Sequence, residues 1–223
     1  MTDGPAPDPI WMGPARARLR SALVSDALDA LGHRRQCLSA GIVPITSSTL
    51  LVGPALPVQI EVVHEVPDVP YRGLLAALDA VGPEQVFVAS VAGGSDVAIW
   101  GELVTTVCRA RGAAGAVCDG YARDSVKIRE IGFPVFCRGT VPTDSNGRSE
   151  VRSHDVPVVI DGVRISPGDL VVADDDGVAI VPAALIDTVV AKAQEKDAHE
   201  SRFRAAVVEG MTATEAFAKF DVL

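Results

Sequence analysis

The sequence is poor in aromatic residues, which make up 4% of the chain, whereas hydrophobic residues of all kinds make up 48%. Scarce aromatic rings argue against a surface that stacks nucleobases and favour α/β layers built from Val, Ala and Leu. The 20 basic and 29 acidic residues give a net charge of −9, which argues against binding to phosphate backbones. We therefore expect a sizeable aliphatic core and no nucleic-acid partner.

Long apolar segments are also missing. No run of about twenty apolar residues occurs, so we expect no membrane-spanning helix and no membrane partner. Residues 1–14 are rich in Pro, Gly and Asp and lack the apolar centre of a signal peptide. We expect a flexible N-terminal arm over 1–14, a single α/β domain over 15–223 and a cytoplasmic protein.

Motifs for several common chemistries are absent from the sequence. The four cysteines form no CxxC pair and the four histidines show no zinc spacing, which indicates buried reduced thiols rather than disulfides or zinc ligands. Gly93-Gly94 does not continue into GxGxxG, which argues against a dinucleotide or S-adenosylmethionine loop. No GxSxG elbow is present, and the lysines lie in polar helical contexts unlike that of a Schiff-base lysine.

Hydrophobic patterning predicts an alternation of strands and helices in the middle of the chain. This order predicts a parallel sheet with right-handed crossovers. Its predicted elements are a strand over 85–91, a helix over 102–111, a strand over 113–118, a helix over 124–131 and a short strand over 133–136.

The flanking segments are more varied. Before this unit we expect a helix over 15–31, two strand pieces within 49–62 broken at Gly53-Pro54, and a helix over 71–81. After it we expect a long polar loop over 139–155 and then a β-rich stretch. That stretch comprises strands over 158–160, 163–165, 171–173 and 178–181, a long helix over 182–209, and a short helix capped by Thr212.

Glu102 begins the first candidate functional segment. A glutamate in the first turn of a helix often only stabilises the helix dipole. Here the helix follows a Gly-rich loop after a buried strand, where α/β proteins place ligands. The free N–H groups of Leu103 and Val104 would point at such a ligand.

Arg123 and Asp124 form the second candidate segment, at the end of a buried strand. The pair could be a surface ion pair of little consequence, or it could face a cleft. In a cleft, Arg123 could hold a carboxylate by two parallel hydrogen bonds, and Asp124 could offer an oxygen to a metal. The two segments together suit a small organic acid bound with a divalent cation.

Other acidic runs favour simpler interpretations. The run Asp174-Asp175-Asp176-Gly177 could bind a cation, but it is more typical of a hairpin turn with solvated aspartates. The charged residues of the long C-terminal helix, including Glu195 and Glu200, are typical of a solvated helix face.

At these residues the chain resembles the RraA-like family, which includes the 4-hydroxy-4-methyl-2-oxoglutarate / 4-carboxy-4-hydroxy-2-oxoadipate aldolases. The resemblance runs from about Ala22 to Gly210. It implies a swivelling β/β/α-type layered sandwich with a central, mostly parallel sheet and a C-terminal helix, assembled as a homotrimer or homohexamer. The matching segments are VSDALDALG at 24–32, VGPALPV at 52–58, WGELVTTVCRARGAAGAVCDGYARD at 100–124, IGFPVF at 131–136 and SPGDLVVADDDGVAIVP at 166–182.

The resemblance also implies a lyase that cleaves a C–C bond of a 2-keto acid and releases pyruvate, with oxaloacetate decarboxylation as a side activity. It implies that Asp124 holds Mg²⁺ or Mn²⁺, mostly with waters, and that Arg123 binds the pyruvyl carboxylate or keto oxygen. The amides of Leu103 and Val104 would hold the carboxylate. The metal would polarise the keto group, and a carboxylate or metal-bound water would take the alcohol proton.

Two family features carry over less directly. Most active members have an aspartate where this chain has Glu102, so the carboxylate is kept but reaches further. A second metal-site glutamate comes from the C-terminal helix of a neighbouring subunit. Glu200 is the first match for it and Glu195 the second.

Two other functions compete with the lyase. One is a non-catalytic regulator of the RraA type, which binds a ribonuclease. The other is menaquinone methylation, which the missing S-adenosylmethionine loop disfavours. The set Glu102, Arg123 and Asp124 favours the lyase, because a binding protein needs no such cluster. A distal substrate carboxylate could be recognised by one of several arginines, which the sequence does not rank: Arg18, Arg20, Arg72 and Arg148.

Overall fold

The structure is a computed structural model that describes residues 9–46 and 50–222. The helices are α1 (Ser21–Ala30), α2 (Arg72–Ala80), α3 (Glu102–Ala110), α4 (Ser125–Ile131), α5 (Ile186–Val208) and α6 (Ala213–Phe220), with 3₁₀ turns at Gly13–Arg18 and Ala183–Leu185. The strands are β1 (Val43–Pro44), β2 (Leu51–Val62), β3 (Val86–Ala92), β4 (Ala98–Trp100), β5 (Gly115–Cys118), β6 (Tyr121–Ala122), β7 (Val135–Cys137), β8 (Ser149–His154), β9 (Val158–Ile160), β10 (Val163–Ile165), β11 (Leu170–Asp174) and β12 (Gly177–Val181).

Over the described residues, eight strands form one curled sheet in the order β1-β7-β5-β3-β2-β11-β12, with β8 also paired to β2. Its centre, β7-β5-β3-β2, is parallel, as the alternating strands and helices predicted. Antiparallel strands complete both sides. The fold is therefore the α/β layered sandwich with a central parallel sheet and a C-terminal helix that the family resemblance implied.

Successive side chains along the strands point to opposite faces of the sheet and pack into separate apolar layers. One face of the parallel centre packs under α2, α3 and α4. The opposite face, inside the curl, is closed by the β9–β10 hairpin. At the antiparallel end, β2, β11 and β12 pack against α1 and α5. Full burial of aliphatic side chains in these layers is the main stabilising contribution.

Strand β2 is continuous, which corrects the expected break at Gly53-Pro54. Along one edge β2 pairs first with β11 and then with β8, and Pro57 lies in the gap between these partners, where no N–H is needed. Gly53 is required by close packing, because a Cβ there would lie 2.1 Å from the Glu84 carbonyl oxygen. Thr49, the first residue of the two strand pieces predicted within 49–62, lies outside the described residues.

The prediction of a loop over 139–155 is wrong for its second half, because residues Ser149–His154 form strand β8. Only Val151 of this strand is a buried apolar residue, so β8 carried no hydrophobic alternation to predict it. The predicted helix over 15–31 begins only at Ser21, after the 3₁₀ turn. Of the expected arm over 1–14, residues 1–8 lie outside the described part, and Trp11 packs against α1 and α5.

Cysteine burial departs from the prediction at one position. All four thiols are free, and three are buried, but Cys37 is exposed. Burial raises the pKa of Cys108 to about 12, and it raises the pKa of Cys118 as well, so these thiols stay protonated and unreactive. Among the helices of residues 9–46 and 50–222, none has the length and apolar character needed to cross a bilayer.

Candidate active site

The candidate site lies beyond the carboxyl ends of β3 and β5, where the short parallel pair β4–β6 extends the chain outward. Gly101 is the extended residue before α3, and Glu102 is the first helical residue. The first intrahelical hydrogen bond runs from the N–H of Thr105 to the Gly101 carbonyl at 3.0 Å. The N–H groups of Leu103 and Val104 therefore have no acceptor within the helix. Such an open helix N-terminus is a favourable place for an anion.

A buried hydrogen-bond chain holds the start of α3 in place. The indole N–H of Trp100 donates to Thr105 Oγ1 at 2.8 Å, and that hydroxyl donates to the Gly101 carbonyl at 2.9 Å. Trp100 stacks on Phe133 and meets the edge of Phe87. The helix end is therefore anchored by a rigid aromatic core rather than by a mobile loop.

Arg123 and Asp124 reach the same place from the end of β6. The Arg123 N–H donates to the Trp100 carbonyl at 2.9 Å, which ties the two segments together. Asp124 has a left-handed backbone conformation with φ of 58° just before α4. Its Oδ2 accepts from the Glu102 N–H at 3.4 Å and lies 3.8 Å from Arg123 Nε. Asp124 thus faces the start of α3 and does not cap its own helix.

The two segments share a cavity of about 340 Å³. Glu102, Arg123 and Asp124 line it together with Leu103 and Val104. Helix α2 forms the opposite wall, and residues 144 and 145 close one side. The arrangement places one guanidinium, three carboxylates and an open helix end around a single small volume.

Sequence reasoning missed several residues of this cavity, including Tyr71 and Asp144. Asp144 Oδ1 lies 3.4 Å from Arg123 Nη2 and accepts from the Ser145 N–H at 2.8 Å. Tyr71 donates its hydroxyl to Asp144 Oδ2 at 3.3 Å. Burial and the neighbouring Asp144 raise the pKa of Tyr71, so the phenol remains a donor. Asp144 lies in an irregular polar loop, where no pattern separates it from solvated residues.

The donor set at the site suits a hard cation only in part. Asp124 and Glu102 offer carboxylate oxygens, which Mg²⁺ and Mn²⁺ prefer. Within residues 9–46 and 50–222, no group of three His, Cys, Asp or Glu side chains is placed to hold a metal. The residues therefore fit a cation bound by one or two carboxylates and completed by water or by another chain.

Glu200 and Glu195 lie elsewhere, on α5. Glu200 is within 4.0 Å of Lys196 and 3.9 Å of Arg204. Neither glutamate lines the cavity of its own chain. A role for either in the site therefore requires a neighbouring subunit.

The chain belongs to the RraA-like family. The family profile, described as Aldolase/RraA, matches residues 21–180, which include the whole of the Gly101–Asp124 region. The observed α/β sandwich agrees with this membership.

Relatives carry different names. A protein of Halalkalibacterium halodurans named "Putative 4-hydroxy-4-methyl-2-oxoglutarate aldolase" is 33% identical over 194 residues, which are 87% of each chain. Protein DlpA of Legionella pneumophila is 33% identical over 88% of this chain, but the match spans only 31% of DlpA. The crystal structure of Streptomyces coelicolor RraAS2, described as an unusual member of the RNase ES inhibitor RraA family, has 34% identity and a TM-score of 0.75. It covers 85% of this chain and 93% of its own.

Proposed function

We propose that the protein is a divalent-metal-dependent lyase that releases pyruvate from a 4-hydroxy-2-oxo acid by C–C cleavage, or from oxaloacetate by decarboxylation. The observation that carries this proposal is the meeting of Glu102, Arg123 and Asp124 at the open end of α3. The similarity to a protein named as an aldolase supports the same class of reaction. We also propose that the protein acts in the cytoplasm.

The chain's own groups have distinct roles in this reaction. The N–H groups of Leu103 and Val104 hold the substrate carboxylate, since they lack helical acceptors. Arg123 donates to the keto oxygen and stabilises the negative charge that develops there. Glu102 takes the proton of the 4-hydroxyl group as the C3–C4 bond breaks. The bonding electron pair passes toward the keto group, and C4 leaves as the carbonyl carbon of the second product. The proton held by Glu102 then returns to C3 and gives pyruvate.

Asp124 is the residue that would hold the metal, with Glu200 of a neighbouring subunit as a further candidate. Such a cation would supply Lewis-acid polarisation of the 2-keto group. Asp124 suits this role because its side chain is about half exposed and is not committed to capping α4.

The test measures pyruvate release, which is monitored by a coupled assay with lactate dehydrogenase. The purified protein is given oxaloacetate or 4-hydroxy-2-oxo acids with Mg²⁺ or Mn²⁺. We expect turnover that EDTA abolishes and added metal restores. Full activity in EDTA, or covalent trapping of substrate by borohydride, would refute the proposal, because the latter indicates a Schiff-base lysine.

A non-catalytic regulator is the second candidate, favoured by the likeness to RraAS2. Such a protein would bind a ribonuclease and inhibit it. The two candidates differ in their dependence on Asp124. The regulator would be favoured by two results together. The parent protein would release no pyruvate from any substrate, and the Asp124→Asn variant would still inhibit a ribonuclease.

A further inference from the structure

Tyr71 and Asp144 lie beside Arg123 but have no part in the chemistry assigned above. Asp144 Oδ1 lies 3.4 Å from Arg123 Nη2, and Asp144 Oδ2 accepts from the Tyr71 hydroxyl at 3.3 Å. We propose that Tyr71 and Asp144 are positioning residues, which through these contacts fix the direction in which Arg123 presents its guanidinium to the keto oxygen of the substrate. This inference deepens the proposed function and rests on it.

The guanidinium of Arg123 needs such support because the side chain that carries it is long and flexible. The Arg123 N–H is fixed on the Trp100 carbonyl, but several rotatable bonds separate that anchor from the guanidinium. Two carboxylates meet the guanidinium on the edge formed by Nε and Nη2: Asp124 at 3.8 Å and Asp144 at 3.4 Å. Held in this way, the planar fork can present a fixed geometry to a ligand. A misplacement of about 1 Å in a catalytic group can cost on the order of 100-fold in rate.

Asp144 is itself firmly held, although it lies in an irregular loop. Its Oδ1 accepts from the Ser145 N–H at 2.8 Å. An isolated parallel β-bridge joins Asp144 to Ala98 of β4, and Arg148 donates to the Asp144 carbonyl oxygen at 3.0 Å. The carboxylate therefore has a defined place beside the site from which it can orient a neighbouring side chain.

Tyr71 reaches Asp144 from a backbone conformation that is unusual for a residue with a Cβ. Its φ is 62° and its ψ is 9°, directly before α2, and its carbonyl accepts from the Leu75 N–H at 2.8 Å. Such a left-handed conformation is costly and persists where the surrounding structure imposes it, often at functional sites. Burial, and then the charge of Asp144, raise the pKa of Tyr71, so the phenol keeps the proton that it donates to Asp144.

These contacts orient Arg123 more than they stabilise the fold. The side chains of Arg123 and Asp144 are 40% and 36% exposed, and ion pairs that are exposed to this degree contribute little to the free energy of unfolding. All the contacts lie within one chain, so they do not depend on what a neighbouring subunit adds to the site. Loss of the Tyr71 hydroxyl or of the Asp144 carboxylate should therefore lower kcat while the melting temperature stays within about 2 °C.

Steady-state kinetics with Mg²⁺ and the 2-keto acid that the parent protein converts fastest compare four variants. Tyr71→Phe removes only a hydroxyl group and should lower kcat roughly three- to ten-fold, with KM changed less than about two-fold, because the charge on the keto oxygen develops in the transition state. Asp144→Ala should lower kcat about ten- to a hundred-fold. Asp144→Asn keeps an acceptor for the Tyr71 hydroxyl and should fall between the parent and Asp144→Ala. Tyr121→Phe is the control, because it removes the other tyrosine hydroxyl of the chain from a residue that does not line the cavity.

Combining the two changes tests whether Tyr71 acts through Asp144. If it does, Tyr71→Phe in an Asp144→Ala chain should change kcat by less than about two-fold, because the group that it holds is already gone. Effects that simply multiply in the double variant overturn the inference. So does a parent-like kcat in Tyr71→Phe, or a loss of kcat matched by a large fall in the melting temperature.

Crystal structures of the parent protein, Asp144→Ala and Tyr121→Phe give a readout that does not depend on turnover. The Arg123 guanidinium should move by about 1 Å or more, or occupy several rotamers, in Asp144→Ala and should stay in place in Tyr121→Phe. A guanidinium that Asp144→Ala leaves in place overturns the inference whatever the kinetics show. If the guanidinium moves but the parent protein releases no pyruvate from any 2-keto acid, the lyase proposal fails and the positioning of Arg123 stands.

Discussion

Asp124 combines an unusual backbone conformation with a half-exposed carboxylate that does not cap its own helix, and this makes its replacement informative. Asn tolerates φ near 58° about as well as Asp does, and its amide oxygen can still accept from Glu102. We therefore expect Asp124→Asn to reduce metal-dependent turnover by at least about 100-fold while the melting temperature moves by no more than about 2 °C. Coupled pyruvate assays and calorimetry measure the two effects.

Near-normal turnover of Asp124→Asn at ordinary Mg²⁺ concentrations would show that Asp124 does not hold the metal. Asp175→Asn serves as the matched control, because it removes the same charge from an exposed turn. It should leave both turnover and melting unchanged.

Arg123 is predicted to act through geometry as well as charge. Lysine keeps the charge but cannot form the two-pronged contact with a carboxylate or keto acid. Arg123→Lys should therefore lower kcat/KM by about 1.5–3 kcal/mol, which is roughly ten- to more than a hundred-fold. Arg152→Lys is the control, since Arg152 forms only exposed ion pairs with Glu61 and Glu150. An unchanged kcat/KM in Arg123→Lys would remove this residue from the reaction.

At the residue scale, the sequence indicated the groups that project from regular elements. Glu102 and Arg123 follow buried strands, and the carboxyl ends of parallel strands lie at one edge of a sheet. Asp144 could not be found in this way. Its position depends on how an irregular loop folds back onto Tyr71, and this contact leaves no periodic pattern in the sequence.

At the scale of elements, α2 depends on one glycine. A Cβ at Gly73 would lie 2.0 Å from the Val151 carbonyl oxygen of β8, so alanine must push the helix away from the sheet. Although alanine is the better helix former, Gly73→Ala should destabilise the fold by about 1–3 kcal/mol. Because α2 forms a wall of the cavity, KM should rise as well. Thermal unfolding and steady-state kinetics test both effects.

Gly82→Ala is the matched control for this change. The nearest atom to a Cβ at Gly82 is the flexible Gln85 amide oxygen at 3.5 Å. Its melting temperature should stay within about 2 °C of the parent protein. Equal stability of the two variants would mean that α2 packs less closely on β8 than the structure shows.

Elements were predictable where burial imposed a period and not elsewhere. The strands of the parallel centre are continuous apolar runs, so β3 and β5 were located to within a few residues. The edge strand β8 is polar and forms because β2 offers it unpaired backbone groups. Strand β4 has three residues and β6 has two. These short strands depend on pairing with each other, and no local sequence pattern specifies that pairing.

At the scale of the whole molecule, we expect an oligomer in which α5 of one subunit completes the site of another. Its C-terminal end carries exposed apolar residues, with Val208 83% exposed and Phe217 of α6 49% exposed, which are easier to explain when covered. Asp124→Asn and Glu200→Gln chains, each inactive, should regain activity on subunit exchange. In a random mixture about a quarter of shared sites would contain both intact residues.

The size of the assembly, a trimer or a pair of trimers, is measured by light scattering. Mixing Asp124→Asn with Arg123→Ala is the control, because both changes fall in the same half of the site and no recovery should follow. A fully active monomer, or no recovery in the first mixture despite demonstrated exchange, would show that each site is built within one chain. Recovery limited to Glu195→Gln mixtures would assign the role to Glu195 instead.

The two tryptophans of the chain occupy separate environments. Trp11 packs against α1 and α5, whereas Trp100 is 2% exposed, touches the cavity and donates to Thr105 at the start of α3. A Trp11→Phe chain would therefore emit from a single indole beside the ligand. Its fluorescence emission would report occupancy of the cavity continuously and without a label. It would distinguish a filled site from an empty one even for ligands that the protein never converts.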